Sequence, residues 1–350
     1  MNRQESILQI IIRMATGIRA LPILGVYVMM LIIFTLFAPR VFSRPLIYIS
    51  FLQTVPPQLV LALGLTLVIT AGEIDLSFSA VVAFSGFLFA YVYKTLGQNE
   101  LSAWLALPAA LGGGAFIGYI NGLLIVRLRI PSIMATLAAQ FFWNGLTVLL
   151  CGGLSWNIKE IRGSFIHNLF TGRILGLIPA QAVWALGLAV LLWFILNRHR
   201  FGEAIMFIGD NQEVARVMGV AVEKTKIRLF TLHGLISGFA AILLTLEMIN
   251  FWSTQGSGFL LPVMAAVFIG GTSIAGGEGV IFGTFFGAYI IGSLEAGVVA
   301  TGIGGYWVRL TTGLVMAASM IMNTLLKGGK GGFAEKWKST VLFKGMKNSK

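Results

Sequence analysis

Apolar residues run along this chain in long stretches separated by short polar breaks, and the pattern repeats nearly end to end. A helix crossing about 30 Å of hydrocarbon needs roughly 20 mainly apolar residues. Such stretches are read at Leu21–Ala38, Pro57–Ala71, Leu76–Tyr93, Ala103–Val126, Ile133–Gly152, Ala180–Leu196, Leu229–Leu246, Leu260–Gly271, Val280–Val299 and Val308–Leu326, the second and eighth being short. The runs are continuous and rich in Leu, Ile, Ala and Gly, whereas a membrane β-barrel would alternate in segments of about 10 residues. The pattern predicts an all-α polytopic transmembrane helical bundle of about ten spans. It divides the chain into an amphipathic N-terminal segment (1–20), a membrane domain (21–326) and a Lys-rich tail (327–350). Ile7, Leu8, Ile11, Ile12 and Met14 with Arg3, Arg13 and Arg19 suit an interfacial helix, and no small-x-small cleavage site follows.

Composition sharpens this reading. Of 350 residues 57% are hydrophobic and 11% charged, with a mean hydropathy of +0.88. A soluble fold of that length cannot hide so much apolar surface, so the excess must face lipid. The net charge of +12 would suggest nucleic acid on a soluble protein. Here the basic residues lie between and after the apolar runs, the pattern of membrane topology and of attraction to anionic lipid, with no nucleic-acid partner expected. With the N-terminus inside, eighteen of the 25 Lys and Arg fall on the inner face and seven outside. Both termini are therefore expected in the cytoplasm. Cys151 is the single cysteine and lies in an apolar run, which leaves no intrachain disulfide and no cysteine metal cluster.

Several polar interruptions are candidate functional positions. The segment Ile269-Gly-Gly-Thr-Ser-Ile-Ala-Gly-Gly-Glu-Gly279 is too polar and flexible for lipid-exposed helix, and Ala71-Gly-Glu-Ile-Asp-Leu-Ser77 makes a comparable break. Non-helical backbone at membrane depth survives only inside protein or along a wet cavity. Both breaks fall on the same side. Asp75, Ser77, Gly271, Thr272 and Ser273 are thus candidates for a pathway or gate, with a capping role for Asp75 equally open. Glu73 and Asp75 would point about 200° apart on a helix and make no carboxylate pair there. Gln140 and Asn144 share a helix face, where they can hydrogen-bond a hydroxylated solute or a neighbouring helix. Glu247 and Glu295 lie near outer span ends, and His233 reads as a packed histidine. Gly279, Gly283 and Gly287 repeat every fourth residue, as do Gly114, Gly118 and Gly122, a spacing that brings helix backbones close.

The longest inner loop, 197–228, carries Asp210 or Asn211 as a cap, Glu213 in a first turn and Gly219 as a stop, predicting a short capped helix suited to docking a partner. The longest outer connection is 153–179. No phosphate-binding loop, no His-Glu-x-x-His, no nucleophile elbow and no metal-spaced cysteine pair occurs, so no catalytic residue and no metal site are expected.

Four segments together resemble the membrane-spanning permease subunits of bacterial ATP-binding-cassette importers for sugars, the ribose-type group. They are Gly64-Leu-Thr-Leu-Val-Ile-Thr-Ala-Gly-Glu-Ile-Asp-Leu-Ser77, Asn121-Gly-Leu-Leu-Ile-Val leading through Arg129-Ile-Pro to Ala135-Thr-Leu137, Ile208-Gly-Asp-Asn-Gln-Glu-Val-Ala-Arg216 with Gly219-Val220, and Gly270-Gly-Thr-Ser-Ile-Ala-Gly-Gly-Glu-Gly279 followed by the glycine stripe and Tyr306-Trp307. Their order and spacing cover about residues 47–326. Glu73 stands where the family usually has glycine, Phe78-Ser79 replace a usual Val-Gly, and the Lys-rich tail is longer than the group's.

The resemblance implies a type II importer fold, a second permease as homodimer or heterodimer partner, two cytoplasmic ATP-binding subunits and an extracytoplasmic solute-binding protein. It implies no cofactor on this chain, since ATP and Mg would be used by the ATPase. It makes Gly202, Gly209, Asp210, Asn211, Glu213, Ala215, Arg216 and Gly219 the ATPase-coupling loop. A branched-chain amino-acid permease of similar architecture is the nearest alternative, and a secondary transporter with broken helices the next.

Overall fold

Helix formation in this chain is dominated by the need to satisfy backbone polar groups away from water, because within lipid only intra-segment hydrogen bonds are available. In a computed structural model the described residues are 20–302, 304, 306–308, 310–315 and 317, and they are overwhelmingly helical. The predicted N-terminal amphipathic segment, most of the tenth span and the Lys-rich tail lie outside the described residues.

In chain order the helices are α1 (Leu21–Phe37), α2 (Pro39–Phe42), α3 (Pro45–Thr54), α4 (Pro56–Thr70), α5 (Phe78–Thr95), α6 (Glu100–Arg127), α7 (Ser132–Cys151), α8 (Phe165–Thr171), α9 (Ala180–Arg198), α10 (Arg200–Asp210), α11 (Gln212–Val217), α12 (Val222–Met248), α13 (Leu260–Ile269) and α14 (Ile281–Ala300). Two-residue strands β1 (Trp156–Asn157) and β4 (Asn250–Phe251) pair antiparallel, as do β2 (Arg173–Ile174) and β3 (Ile178–Pro179).

Six helices, α5, α6, α7, α9, α12 and α14, are long and apolar enough to cross a membrane, and a seventh span results if the bent pair α3–α4 is counted as one. The chain is thus an all-α polytopic membrane protein. The reading of ten spans is not reproduced by these helices alone: α1 has 17 residues and α13 only 10. Ten residues rise about 15 Å, half the hydrocarbon thickness. The span read from Pro57 is preceded by α3, bent 50° from α4. Pro56 and Pro57 remove two N–H donors and start a new helix at the bend.

α4 and α12 sit at the centre. Every residue of α4 except Gln58 is buried. α12 packs on α4, α5 and α6. α7 and α9 are peripheral and keep large apolar side chains exposed, Phe141, Phe142 and Leu149 on one and Leu186, Leu191 and Phe194 on the other, as lipid-facing helices do. The stripe Gly114, Gly118 and Gly122 of α6 lies directly on α12. A methyl group at these positions would collide with Gly234 O, Phe230 O or Ile227 Cα.

Contacts sort the loops into two ends. One, rich in Arg and Lys, gathers 71–77, 128–131, 199–221 and 270–280. The other gathers 153–179 with 249–259, where β1 meets β4 and Glu100 accepts from the N–H groups of Phe165 and Ile166.

Candidate functional site

Two chain interruptions and a helix meet at the basic end. α4 stops at Thr70 in a complete Schellman motif: Gly72 takes φ +75°, its N–H donates to Ile69 O (2.9 Å), and Glu73 N–H donates to Val68 O (3.2 Å). α13 stops at Ile269 in the same way, with Gly271 at φ +87° donating to Phe268 O and Thr272 N–H to Val267 O. Glycine is needed at both because a side chain rarely tolerates this backbone conformation. After α13 the chain makes a tight turn closed by Ser273 N–H to Glu278 O (3.0 Å), and the buried Thr272 hydroxyl accepts from Val280 N–H (3.3 Å).

The third element is α10, an amphipathic helix that buries Gly202, Ile205 and Ile208. Its penultimate residue, Gly209, lies against both interruptions. A methyl there would fall on Thr70 O and Gly277 N, and one at Gly276 would reach Gly209 O at 2.6 Å and Gly72 Cα at 3.0 Å. Gly277 N–H donates to Thr70 O (2.8 Å). Backbone therefore touches backbone where α4, α10 and the 270–280 turn converge, with no side chain between them to absorb a displacement. Gly202 packs as tightly at the α9–α10 corner, against the carbonyls of Ile195 and Leu196.

α11 is the short capped helix. Asn211, not Asp210, is its N-cap, accepting from Glu213 N–H (3.0 Å) and Val214 N–H (3.1 Å); Asp210 is the last residue of α10. Gly219, at φ +88°, ends it, with Val220 N–H donating to Ala215 O (3.0 Å). Ala215 is buried beside Ile208 and Val222, and Arg216 pairs with Glu223 at 2.6 Å. Asp210 and Glu213 are exposed. So are the apolar side chains of Phe207, Val214, Val217 and Met218, Val217 by 89%.

The 71–77 segment is held from two sides. Glu73 pairs with Lys226 of α12 at 2.5 Å, both side chains about nine-tenths buried, and Lys226 donates also to Gln212 of α11 (2.7 Å). Asp75 turns inward instead: one carboxylate oxygen accepts from Ser77 N–H (2.7 Å) and the Ser77 hydroxyl (2.6 Å), which accepts in turn from Asn121 (2.8 Å). The other oxygen lies 3.8 Å from His233 Nε2, beyond hydrogen-bond reach. His233, packed edge-on against Phe78, has no hydrogen-bond partner on either ring nitrogen among the described residues.

From α7, Ser132 Oγ accepts from Ile74 N–H (3.2 Å), Thr136 Oγ1 from Leu76 N–H (3.0 Å) and Gln140 Oε1 from Ala80 N–H (3.0 Å). These bonds satisfy amides of the break and of the first turn of α5 that have no intrahelical partner. Gln140 is thus engaged with a neighbouring helix. The side chain of Asn144, half-buried one turn on, makes no hydrogen bond among the described residues. Sequence reasoning singled out Gln140 and Asn144 but missed Ser132 and Thr136, although all four share one i, i+4 stripe.

The stripe Gly279, Gly283 and Gly287 divides its work. Gly283 and Gly287 bring α14 onto the backbone of α13, at Gly270 O and Ala266 O, while Gly279 abuts Thr70 Oγ1. The Thr66 and Thr284 hydroxyls bond at 2.8 Å across the same contact. Two further polar sites involve Glu247 and Glu295, which the sequence placed near outer span ends without naming partners. Glu247 accepts from Gln53 (2.6 Å) and from Gln181, tying α3, α9 and α12 together. A groove of about 760 Å³ between α4, α13, α14 and Val308, Thr312 and Gly313 includes Thr54, Gln58, Ser257 and Glu295. Among the described residues no group of three or more His, Cys, Asp or Glu is placed to hold a metal ion.

Comparison with known proteins places this arrangement. A family described as branched-chain amino acid transport system / permease component matches residues 47–322. The ribose import permease protein of Escherichia coli is 32% identical over 276 residues, 78% of this chain and 84% of that one. The corresponding protein of Bacillus subtilis is 32% identical over 303 residues, 86% and 91% of the two chains. An L-arabinose transporter permease protein of Azospirillum brasilense is 31% identical over 265 residues, 75% of each. No solved structure matches. With most of its length inside the family and its breaks, glycine contacts and capped helix in one continuous assembly, this chain belongs to the family of bacterial transport-system permease components.

Proposed function

We propose that the chain is the permease subunit of an ATP-binding-cassette importer, forming the pathway for ATP-driven uptake of a sugar or sugar-like solute across the bacterial inner membrane. The relatives whose names give a cargo carry ribose, arabinose or autoinducer 2, and Gly-x-Ile-Asp-Leu-Ser with Gly-Gly-Thr-Ser favours the sugar group over the branched-chain amino-acid one. In this reading the chain spans the membrane ten times with both termini in the cytoplasm. The spans are the six long helices, the bent α3–α4 pair, α1, α13 prolonged by the 270–280 turn, and residues 308–326. The basic end faces the cytoplasm, as the distribution of Arg and Lys favours. A second permease completes the membrane part, two ATPase subunits that use ATP and Mg dock on α10–α11, and a solute-binding protein delivers cargo at the opposite end. The chain itself carries no catalytic residue.

The observation that carries the proposal is the backbone contact of Gly209 with Thr70, Gly276 and Gly277. An importer needs a cytoplasmic element whose displacement reaches the membrane interior, and it must have two discrete packings. Here α10 abuts the end of α4 and the 270–280 turn without compliant side chains, so tilting it moves both interruptions together. Asp75, Ser77, Thr272 and Ser273 lie on those interruptions. They act by fixing the geometry of the gate, while solute passes by the groove that holds Gln58, Glu295 and Thr312. The exposed apolar strip Phe207, Val214, Val217 and Met218, flanked by Asp210 and Glu213, is the ATPase contact.

The test is purification of the tagged chain from native membranes in mild detergent, with co-purifying proteins identified by mass spectrometry. Recovery of an ATPase subunit, lost in Asp210→Lys/Glu213→Lys while the chain still inserts, is the expected result. A chain recovered alone that drives uptake in vesicles without ATP would overturn the proposal.

A further inference from the structure

A second cavity, of about 1050 Å³, opens at the basic end between the α6–α7 turn, α11 and the start of α12. Five cationic residues line it: Arg127, Arg129, Arg216, Lys224 and Lys226. Its two acidic side chains are both engaged, Glu73 with Lys226 and Glu223 with Arg216. Arg127, Arg129 and Lys224 have neither an ion pair nor a side-chain hydrogen bond among the described residues. Three cationic residues without a side-chain partner among the described residues thus border one concavity, a surplus of positive charge that favours an anion there.

Two backbone features add to this. Arg129 is held at φ +56°, a left-handed conformation that costs a non-glycine residue energy and persists only where the surroundings impose it. The cavity also includes Ser132, where α7 begins without a side-chain cap, beside the last turn of α6, where Arg127 lies. Arg127 closes one membrane helix and Ser132 opens the next, which places the cavity at the level of lipid headgroups.

We propose that this cavity is a binding site for a phosphate group, held by Arg127, Arg129 and Lys224. Guanidinium groups match phosphate oxygens in bidentate geometry, and Lys224 supplies a point charge beside them. The phosphate belongs to the headgroup of an anionic phospholipid or is free inorganic phosphate; the chemistry is shared and the experiment separates the two. An occupied site would tie the α6–α7 turn to the start of α12, which follows α11, and so bears on the segment next to the Gly209 contact.

The full-length chain is purified in a non-ionic detergent, checked for monodispersity, and titrated with phosphatidylglycerol under native mass spectrometry, then separately with inorganic phosphate while thermal unfolding is followed. The variant is Arg127→Gln/Arg129→Gln/Lys224→Gln, and the control is Lys159→Gln/Arg162→Gln/Arg173→Gln, the same charge change at the opposite end. Each cation near a membrane surface strengthens anion binding by roughly fivefold, so the triple variant binds phosphatidylglycerol about a hundredfold more weakly. The control and wild type bind alike. If phosphatidylglycerol binding is unchanged but inorganic phosphate stabilises the wild type and not the variant, the site holds free phosphate. Should the triple variant fail to fold, Arg129→Gln and Lys224→Gln, each altering one exposed side chain, carry the test with roughly fivefold losses apiece. Equal ligand response in variant and wild type, or an equal loss in the control, overturns the proposal. So does a variant that keeps both ligands yet loses a co-purifying ATPase subunit, which would make the cavity a protein-docking surface.

Discussion

Replacing Glu73 with glutamine would leave the Lys226 ammonium nine-tenths buried with neutral amide oxygens in place of its carboxylate partner. At 2.5 Å and an effective dielectric near 20, the gross attraction of the pair is about 7 kcal/mol. Desolvation of two ions costs several kcal/mol each, so the intact pair is close to neutral relative to an apolar replacement. Removing one partner is different, because the other charge keeps its desolvation cost. Deeply buried pairs lose about 3–5 kcal/mol on such a change. Here the pair borders an open cavity, which gives the orphaned ammonium some access to water, so the expected loss is about 2 kcal/mol.

Thermal unfolding of the detergent-solubilised chain, followed by tryptophan fluorescence, gives the measure. Glu73→Gln and Lys226→Met should each lower the midpoint by about 4–8 °C, taking 2–4 °C per kcal/mol as for domains of 150–250 residues. The double variant should recover more than half of either loss, since no buried charge is left alone. Additive losses in the double variant, or single variants within about 1 °C of wild type, would refute the reasoning. Glu73→Gly, which restores the residue usual in the resembled family, should behave like Glu73→Gln, and only Lys226→Met beside it should restore stability.

Gly209→Ala places a methyl on the Thr70 carbonyl and the Gly277 amide, so ATP-dependent uptake in reconstituted vesicles should fall at least about tenfold while ATPase association persists; unchanged uptake would remove Gly209 from the coupling path. Gln140→Ala leaves the Ala80 N–H without its acceptor and should destabilise by about 1–2 kcal/mol in the same unfolding assay, whereas Gln140→Glu, which keeps an acceptor oxygen, should lose less. Glu295→Gln should raise the solute concentration for half-maximal uptake without altering stability, because Glu295 is exposed in the 760 Å³ groove; an unchanged uptake curve would exclude the groove as the route.

Much of the architecture was legible in the sequence because apolar run length and charge placement are local properties. Long uninterrupted runs marked α5, α6, α7, α9, α12 and α14, and the two glycine-rich interruptions were visible as polar, flexible segments inside apolar surroundings. The capped helix in the 197–228 loop was legible for the same reason, since Asn211 and Gly219 act on their own backbone. The helix before it was not. α10 spreads its apolar positions among charged neighbours, and only packing against Thr70 and the 270–280 turn shows what its buried face meets. The division of α3 from α4 likewise needed the bend at Pro56-Pro57 to be seen in space.

Pairings across the bundle lay beyond any reading of one strand of letters. Glu73 and Asp75 are two residues apart, yet one turns outward to Lys226 and the other inward to Ser77, because the segment between α4 and α5 is not helical and a helical angle does not apply to it. The stripe Ser132, Thr136, Gln140 was readable as a polar face, but its partners are backbone amides some 60 residues earlier, and no local rule supplies them. The sequence by itself determined that this protein lies in a membrane, where its chain breaks and which family it belongs to, since these follow from hydrophobicity, backbone preference and motif order. The tertiary structure alone decided that the breaks touch through glycine backbone, and which charges are paired and which have no partner among the described residues, since those depend on distances between segments that the chain's order does not contain.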